Sequence, residues 1–316
     1  MAVLQVLGLN KSYKGKKVIR DLSLELNKGE IMGLIGANGA GKTTIFKSIL
    51  GLVKKDSGSI IVNQQQTREK SKAYLNTIGS IIEYPTFYES LTASQNLAIT
   101  SKLYDELDLS KQDILNYLEL VGLEGEGDSK VASFSLGMKQ RLGLAQALIH
   151  QPSILLLDEP FNGLDPKGIK ELRDFLSSLS GKGIAIIISS HSLEELNKIV
   201  DTVTIIHQGK LIFQGKKAEY LALGAEKNIW LLETDNKLLT EDILKALNIS
   251  FKTKDEHFEL SLPKERAEEV RNQLLSELLG QKVSILKISE QQNNFEDIFL
   301  NIQTTGEVDY DKVNKN

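Results

Sequence analysis

Gly36-Ala37-Asn38-Gly39-Ala40-Gly41-Lys42-Thr43 is the stretch on which the fold turns. It matches the pattern G-x-x-x-x-G-K-[ST] in full, between an apolar strand pattern, Glu30 to Ile35, and a helical pattern, Lys42 to Leu50. Each residue type has a physical task. Glycines let consecutive backbone N–H groups turn inward on phosphate oxygens, and the start of the next helix presents the positive end of its dipole there. Lys42 adds a point charge near the β- and γ-phosphates of a nucleotide, and the Thr43 hydroxyl suits Mg²⁺.

Upstream, alternating segments from Leu4 to Leu9 and from Ile19 to Leu26, parted by the polar turn Lys14 to Lys17, predict an antiparallel edge sheet. Downstream, residues 92 to 121 carry a helical pattern with Leu97, Leu103, Leu107, Ile114, Leu118 and Val121 on the apolar side. Strands follow near Ile154 to Leu157, Ile184 to Ser189 and Thr202 to His207. Strands alternating with helices predict an α/β fold with a parallel sheet covered on both faces. The first of these strands ends in Asp158-Glu159. Strand carboxyl ends face the ligand crevice in such a sheet. Asp158 is therefore placed to hold Mg²⁺ through water, and Glu159 to orient or deprotonate an attacking water.

Beyond about Leu223 the pattern changes. Asn228 to Thr234 reads as a strand, Thr240 to Leu247 as a helix, and Ile249 to Thr253 with His257 to Leu262 as two strands. Pro263 to Leu279 reads as an amphipathic helix opened by proline, and Lys282 to Ile288 as a last strand. That order is β-α-β-β-α-β, a ferredoxin-like arrangement. Asn294 is a candidate cap for a helix from Phe295 to Gln303, and residues 304–316 read as a flexible polar tail. The expected domains are 1–223, with a helical subdomain at about 85–135, and a small α+β domain at 224–303.

Composition narrows the function. Lys plus Arg is 38 against 42 Asp plus Glu, a formal charge of −4, which offers no basic field for nucleic acid. With no cysteine, thiolate metal sites, cysteine nucleophiles and disulfides are excluded. The amino terminus lacks a signal-peptide pattern, and apolar runs such as Ile184 to Ile188 are far short of the ~20 residues that span a bilayer. Any membrane role is then expected to be peripheral.

The residues between the two nucleotide motifs carry a family resemblance. Ser135-Leu136-Gly137-Met138-Lys139-Gln140 looks like a variant of the Leu-Ser-Gly-Gly-Gln signature of ABC ATPases, and Ser135 before a helix is by itself a plausible N-cap. Tyr13 fits the aromatic residue that stacks on adenine, Gly163-Leu164-Asp165-Pro166 fits the turn that communicates across the dimer, and His191 fits the switch histidine. The chain thus resembles the ATP-binding cassettes of ABC transporters over residues 1 to about 220. The resemblance implies a P-loop NTPase cassette, with a RecA-like parallel sheet, an antiparallel β subdomain and a helical subdomain. It implies ATP and Mg²⁺ as cofactors, a head-to-tail dimer with a second copy, and a separate transmembrane permease. The chain would then act as an ATPase on the cytoplasmic face of the membrane.

The same resemblance places Tyr13, Gly36, Asn38, Gly39, Ala40, Gly41, Lys42, Thr43 and Thr44 at the nucleotide, with Ser135, Gly137, Gln140 and Asp165 completing it from the opposite subunit. Thr43, Asp158 and Glu83 fall at the metal, and Glu159, His191 and Glu83 at the chemistry. Glu83 departs from the family pattern, which has glutamine there. A carboxylate lacks the amide donor and adds negative charge beside phosphates. The stretch from Glu83 through Phe87-Tyr88 to Leu91-Thr92-Ala93-Ser94-Gln95-Asn96-Leu97 is similar to ATPases of exporters for lantibiotics and bacitracin-like peptides. Export of a peptide antibiotic is the leading expectation, against a general drug or lipid exporter or an importer. A soluble ABC protein acting on nucleic acid or ribosomes usually has two cassettes or a long coiled-coil insertion, and neither is seen in the sequence. For the carboxy-terminal segment, a regulatory or dimer-bracing role stands beside that of a stabilising appendage.

Overall fold

The computed structural model describes residues 1–67, 73–104, 107–224, 227–254, 257–263, 266–291 and 295–305. Strand β1 (Ala2–Tyr13) and strand β2 (Lys16–Asn27) form a long hairpin across Lys14 and Gly15, both at positive φ, the two-residue turn whose twist suits antiparallel strands. Next come β3 (Ile31–Ile35), α1 (Lys42–Ile49), β4 (Ser57–Val62), β5 (Gln65–Gln66) and β6 (Ile78–Ile81). Helices α2 (Ala93–Ser101), α3 (Lys111–Leu120) and α4 (Leu136–Leu148) follow. The first part then closes with β7 (Ile154–Asp158), α5 (Pro166–Gly181), β8 (Ala185–Ser189), α6 (Leu193–Ile199), β9 (Thr202–His207) and β10 (Lys210–Lys216).

Two sheets organise these elements. One is antiparallel, in the order β2-β1-β4-β5. The other runs β10-β9-β3-β8-β7-β6, parallel except for the β9–β10 hairpin. Every residue of β3, β7 and β8 is buried, as expected of strands covered on both faces. Leu4, Leu22, Met32, Phe46 and Ile187 share one core cluster, so the antiparallel sheet packs against the parallel one around α1.

Four strands have no counterpart in the sequence reading, the two-residue β5 among them. Strand β4 starts Ser-Gly-Ser, β6 has four residues, and β10 mixes lysines with apolar residues, so none shows a clean period of two. The helical pattern over 92–121 is broken into α2 and α3, because Ser110 and Asp113 form a capping box that starts a new helix. Leu97, Ile114, Leu118 and Val121 are buried as expected, whereas Leu103 is 77% exposed.

The chain divides into two compact units, Met1–Lys217 and Ala218–Asn316. The division falls six residues before the boundary expected at Leu223. Helix α7 (Lys217–Leu223) buries Tyr220, whose hydroxyl donates to the Phe295 carbonyl at 2.7 Å and whose ring lies 4.6 Å from that of Phe295. The second unit continues with β11 (Lys227–Thr234), α8 (Lys237–Ala246), β12 (Ser250–Thr253), β13 (Phe258–Pro263), α9 (Ala267–Gly280), β14 (Ile285–Gln291) and α10 (Phe295–Thr305). Its antiparallel sheet has the order β12-β13-β11-β14, over a core that includes Leu232, Leu244, Phe258, Leu260, Leu274 and Leu278.

Pro263 corrects an expectation. It ends β13, opposite Lys227, rather than opening a helix. The fixed φ of proline suits extended backbone, and at a strand end its missing N–H costs no ladder bond. The candidate cap Asn294 and residues 306–316 of the tail lie outside the described residues. Among the described residues no helix is long and apolar enough to cross a membrane.

Candidate functional site

The chain leaves β3 at Gly36, where an added Cβ would lie 2.6 Å from the Ile206 carbonyl oxygen of the neighbouring strand. Only glycine fits that approach. The turn closes through the Ala40 N–H to the Ala37 carbonyl at 3.0 Å, and Gly41, at φ 111°, caps α1 without any side-chain bond. The first N–H groups of α1 therefore have no side-chain cap competing for them, which suits an anion. Lys42 is only 8% exposed, and its ammonium donates to the Gly36 carbonyl at 2.7 Å. Burial pushes the Lys42 pKa down, and the carboxylates of Glu159 and Asp158 oppose that shift.

Parallel pairing of β7 between β6 and β8 delivers the acidic pair. Asp158 is 3% exposed; it accepts from the Thr43 hydroxyl at 2.7 Å on one oxygen and from the Ser189 hydroxyl on the other. Glu159 sits at φ 53°, unusual for a residue with a side chain. Its N–H donates to both the carbonyl and the hydroxyl of Ser189, each at 3.0 Å, which holds the turn. His191 Nδ1 lies 2.8 Å from Glu159 Oε2, and the His191 N–H donates to the same oxygen at 3.2 Å.

A cavity of about 400 Å³ collects Tyr13, Val18, Ala37, Asn38, Gly39, Gly41, Lys42, Thr43, Thr44, Asp158 and Glu159. Tyr13 is 42% exposed, with the Lys11 ammonium 4.8 Å from its ring centroid. Of the residues expected at the nucleotide, Gly36 and Ala40 shape the turn from behind, and Ala40 is buried. The Thr43 hydroxyl and Asp158 carboxylate are hard oxygen donors side by side. Among the described residues no cluster of three or more His, Cys, Asp or Glu could hold a metal alone. Such a site fits Mg²⁺, which takes one or two protein oxygens and completes its shell with waters and phosphates.

The remaining expected residues lie elsewhere. Ser135 caps α4 by accepting from the Met138 N–H at 3.3 Å, and Asp165 caps α5 by accepting from the Gly168 N–H at 2.8 Å. Together with Gly137 and the buried Gln140 they line a second cavity of about 660 Å³ between α4 and α5. Glu83, at φ 64°, is ion-paired with Lys47 of α1 at 2.7 Å and lines neither cavity. That hydrogen bond raises the Lys47 pKa. Sequence reasoning missed Ser189 and Lys47, which have no motif of their own: one is a serine at a strand end, the other a half-buried lysine on α1.

The ABC transporter family pattern matches residues 19–162. A bacitracin transport ATP-binding protein of Bacillus licheniformis is 46% identical over 212 residues, covering 66% of this chain and 68% of its own. A lantibiotic transport ATP-binding protein of Streptococcus pyogenes is 44% identical over 212 residues, covering 67% and 90%. Among solved structures, an ATP-binding subunit of an ABC transporter superposes with a TM-score of 0.63 at 32% identity, over 69% of this chain and 91% of that one. With a phosphate-type turn, an acidic strand end and a capped signature helix set on one parallel sheet, the chain belongs to the ABC transporter family as one of its ATP-binding, ATP-hydrolysing subunits.

Proposed function

We propose that this chain powers export of a peptide antibiotic, paired head-to-tail with a second copy and docked on a separate permease at the cytoplasmic face of the membrane. The likeness to relatives named for bacitracin and lantibiotic transport, at 46% and 44% identity, carries the choice of cargo class. The pairing is supported by the placement of Ser135, Gly137 and Asp165 around a cavity separate from that of Lys42 and Thr43. A nucleotide held by one copy leaves these residues free to meet the nucleotide of another.

In this reading the uncapped start of α1 and Gly39 to Gly41 receive the phosphates, and Lys42 turns from the Gly36 carbonyl to the β- and γ-oxygens. Tyr13 stacks on the base. Thr43 and Asp158 would hold Mg²⁺, which when bound would neutralise charge on the phosphates. Glu159 orients the attacking water and accepts its proton, while His191 fixes the Glu159 carboxylate. Lys47 already answers the Glu83 carboxylate, so Glu83 is assigned to coupling with the permease rather than to the metal.

The test is drug susceptibility of a deletion strain against a panel of bacitracin, lantibiotics and small apolar drugs. Lowered inhibitory concentrations for the peptides, restored by the wild-type gene and not by Glu159→Gln, are expected. Sensitivity to the apolar drugs alone would point instead to a general drug or lipid exporter.

A further inference from the structure

Two turns of the first unit interlock through reciprocal leucine–glycine pairs. Gly163 lies at φ 74°, and a Cβ added there would lie 2.1 Å from Leu136 Cδ2. Conversely, a Cβ added to Gly137 would lie 3.4 Å from Leu164 Cδ2. Leu136 thus occupies space that Gly163 leaves empty, while Leu164 lies at contact distance from Gly137. Leu136 remains 44% exposed, so burial in a core does not account for its position. The two turns are also the capped starts of two helices: Ser135 begins α4 and Asp165 begins α5. Arg141 ties the same helices together one turn further on, bonding Glu171 of α5 as well as the Val121 carbonyl at 3.0 Å.

We propose that Leu136 and Gly163 form a steric lock that makes the signature turn and the Gly163–Asp165 turn a single rigid body, with Leu136 as its positioning residue. This rests on the paired reading above, in which both turns complete the nucleotide site of a second copy. Packed side chains resist deformation, so a Leu136 that fills the gap over Gly163 fixes the Ser135 hydroxyl and the Asp165 carboxylate relative to one another. The two turns then close on the partner's nucleotide together, and the lock contributes to pairing while leaving the phosphate loop of its own chain untouched.

The experiment is a double-mutant cycle on the full chain: wild type, Leu136→Ala, Gly163→Ala and the double variant. Three readouts are taken: affinity for a fluorescent ATP analogue at low protein concentration, ATP-dependent pairing by sedimentation, and ATPase rate. Gly163→Ala forces a Cβ into Leu136 and is expected to weaken pairing and hydrolysis about tenfold with nucleotide affinity unchanged. Leu136→Ala clears that space, so adding Gly163→Ala to it should cost no more than about threefold, the residue of its positive-φ strain. Equal losses from Gly163→Ala in both backgrounds would overturn the lock, because the two sites would then be independent. If Gly163→Ala unfolds, Leu136→Ala alone decides: it must weaken pairing without altering nucleotide affinity, and unchanged pairing overturns the proposal. Wild-type protein that binds ATP and never pairs would sink the paired reading itself, a separate outcome.

Discussion

Ser189→Ala tests how far the acidic strand end depends on a residue with no motif. Ser189 is fully buried at the end of β8, in register with Asp158 on one side and Leu34 on the other. Its hydroxyl donates to Asp158 Oδ1 and accepts from the Glu159 N–H at 3.0 Å. Alanine preserves the strand. Asp158 keeps the Thr43 hydroxyl at 2.7 Å, and the Glu159 N–H keeps the Ser189 carbonyl at 3.0 Å. Two bonds of the hydroxyl are lost, the charge-assisted one to Asp158 and the shared one from the Glu159 N–H, and one oxygen of a buried carboxylate is left unanswered. Hydrogen bonds to charged groups contribute ~1.5–3 kcal/mol. Urea denaturation of the nucleotide-free protein, followed by circular dichroism, should therefore show the transition of the first unit destabilised by ~1.5–3 kcal/mol. Because Glu159 hangs on the same serine, hydrolysis should also fall, by about 10–100-fold if a similar energy is lost from the transition state. A stability change under ~0.5 kcal/mol together with normal hydrolysis would refute the reasoning, since it would mean Ser189 does not hold the pair.

Other predictions follow from the same geometry. Glu159→Gln should slow hydrolysis by about 10²–10⁴-fold, the range for losing a general base, and accumulate an ATP-bound pair visible by size-exclusion chromatography; near-normal turnover would remove Glu159 as the base. Lys42 has a folded-state pKa below the ordinary 10.5, so the unfolded chain binds more protons between the two values and stability rises with pH there. Urea midpoints of the wild type should thus gain on those of Lys42→Met as pH climbs toward 10.5, and the opposite slope would contradict the burial argument. Glu83→Gln breaks an exposed ion pair worth ~0–1 kcal/mol, and ATPase assays should find hydrolysis within about tenfold of wild type; a total loss would assign the carboxylate a chemical role. Gly79→Ala places a Cβ 2.1 Å from the Ala147 carbonyl oxygen, and thermal or urea denaturation should reveal a cost of about 1–3 kcal/mol from overpacking β6 against α4.

Much of the site was legible because its chemistry is local. The turn from Gly36 to Thr43 carries its backbone demands and its charge within eight consecutive residues, and Asp158-Glu159 announces itself as a carboxylate pair ending an apolar strand. The helix cap Ser135 was readable for the same reason, as a cap bonds a backbone N–H three residues away. Strands β4, β6 and β10 were not readable, because short or irregular strands owe their state to the neighbours they pair with. Pro263 was misread through a local rule: proline suits a first helical turn and a strand end alike, and the pairing of β13 with β11 chose the strand.

By itself, then, the sequence determined the class of sheet, the phosphate turn and the family, since each is written in contiguous residues whose geometry needs no distant partner. Tertiary structure alone decided which carboxylate oxygen Ser189 answers, that Lys47 pairs with Glu83, and that Leu136 fills the space over Gly163. Those contacts join residues 27 to 36 positions apart, between elements whose approach is set by sheet order and helix packing, and no period or motif in the chain encodes them.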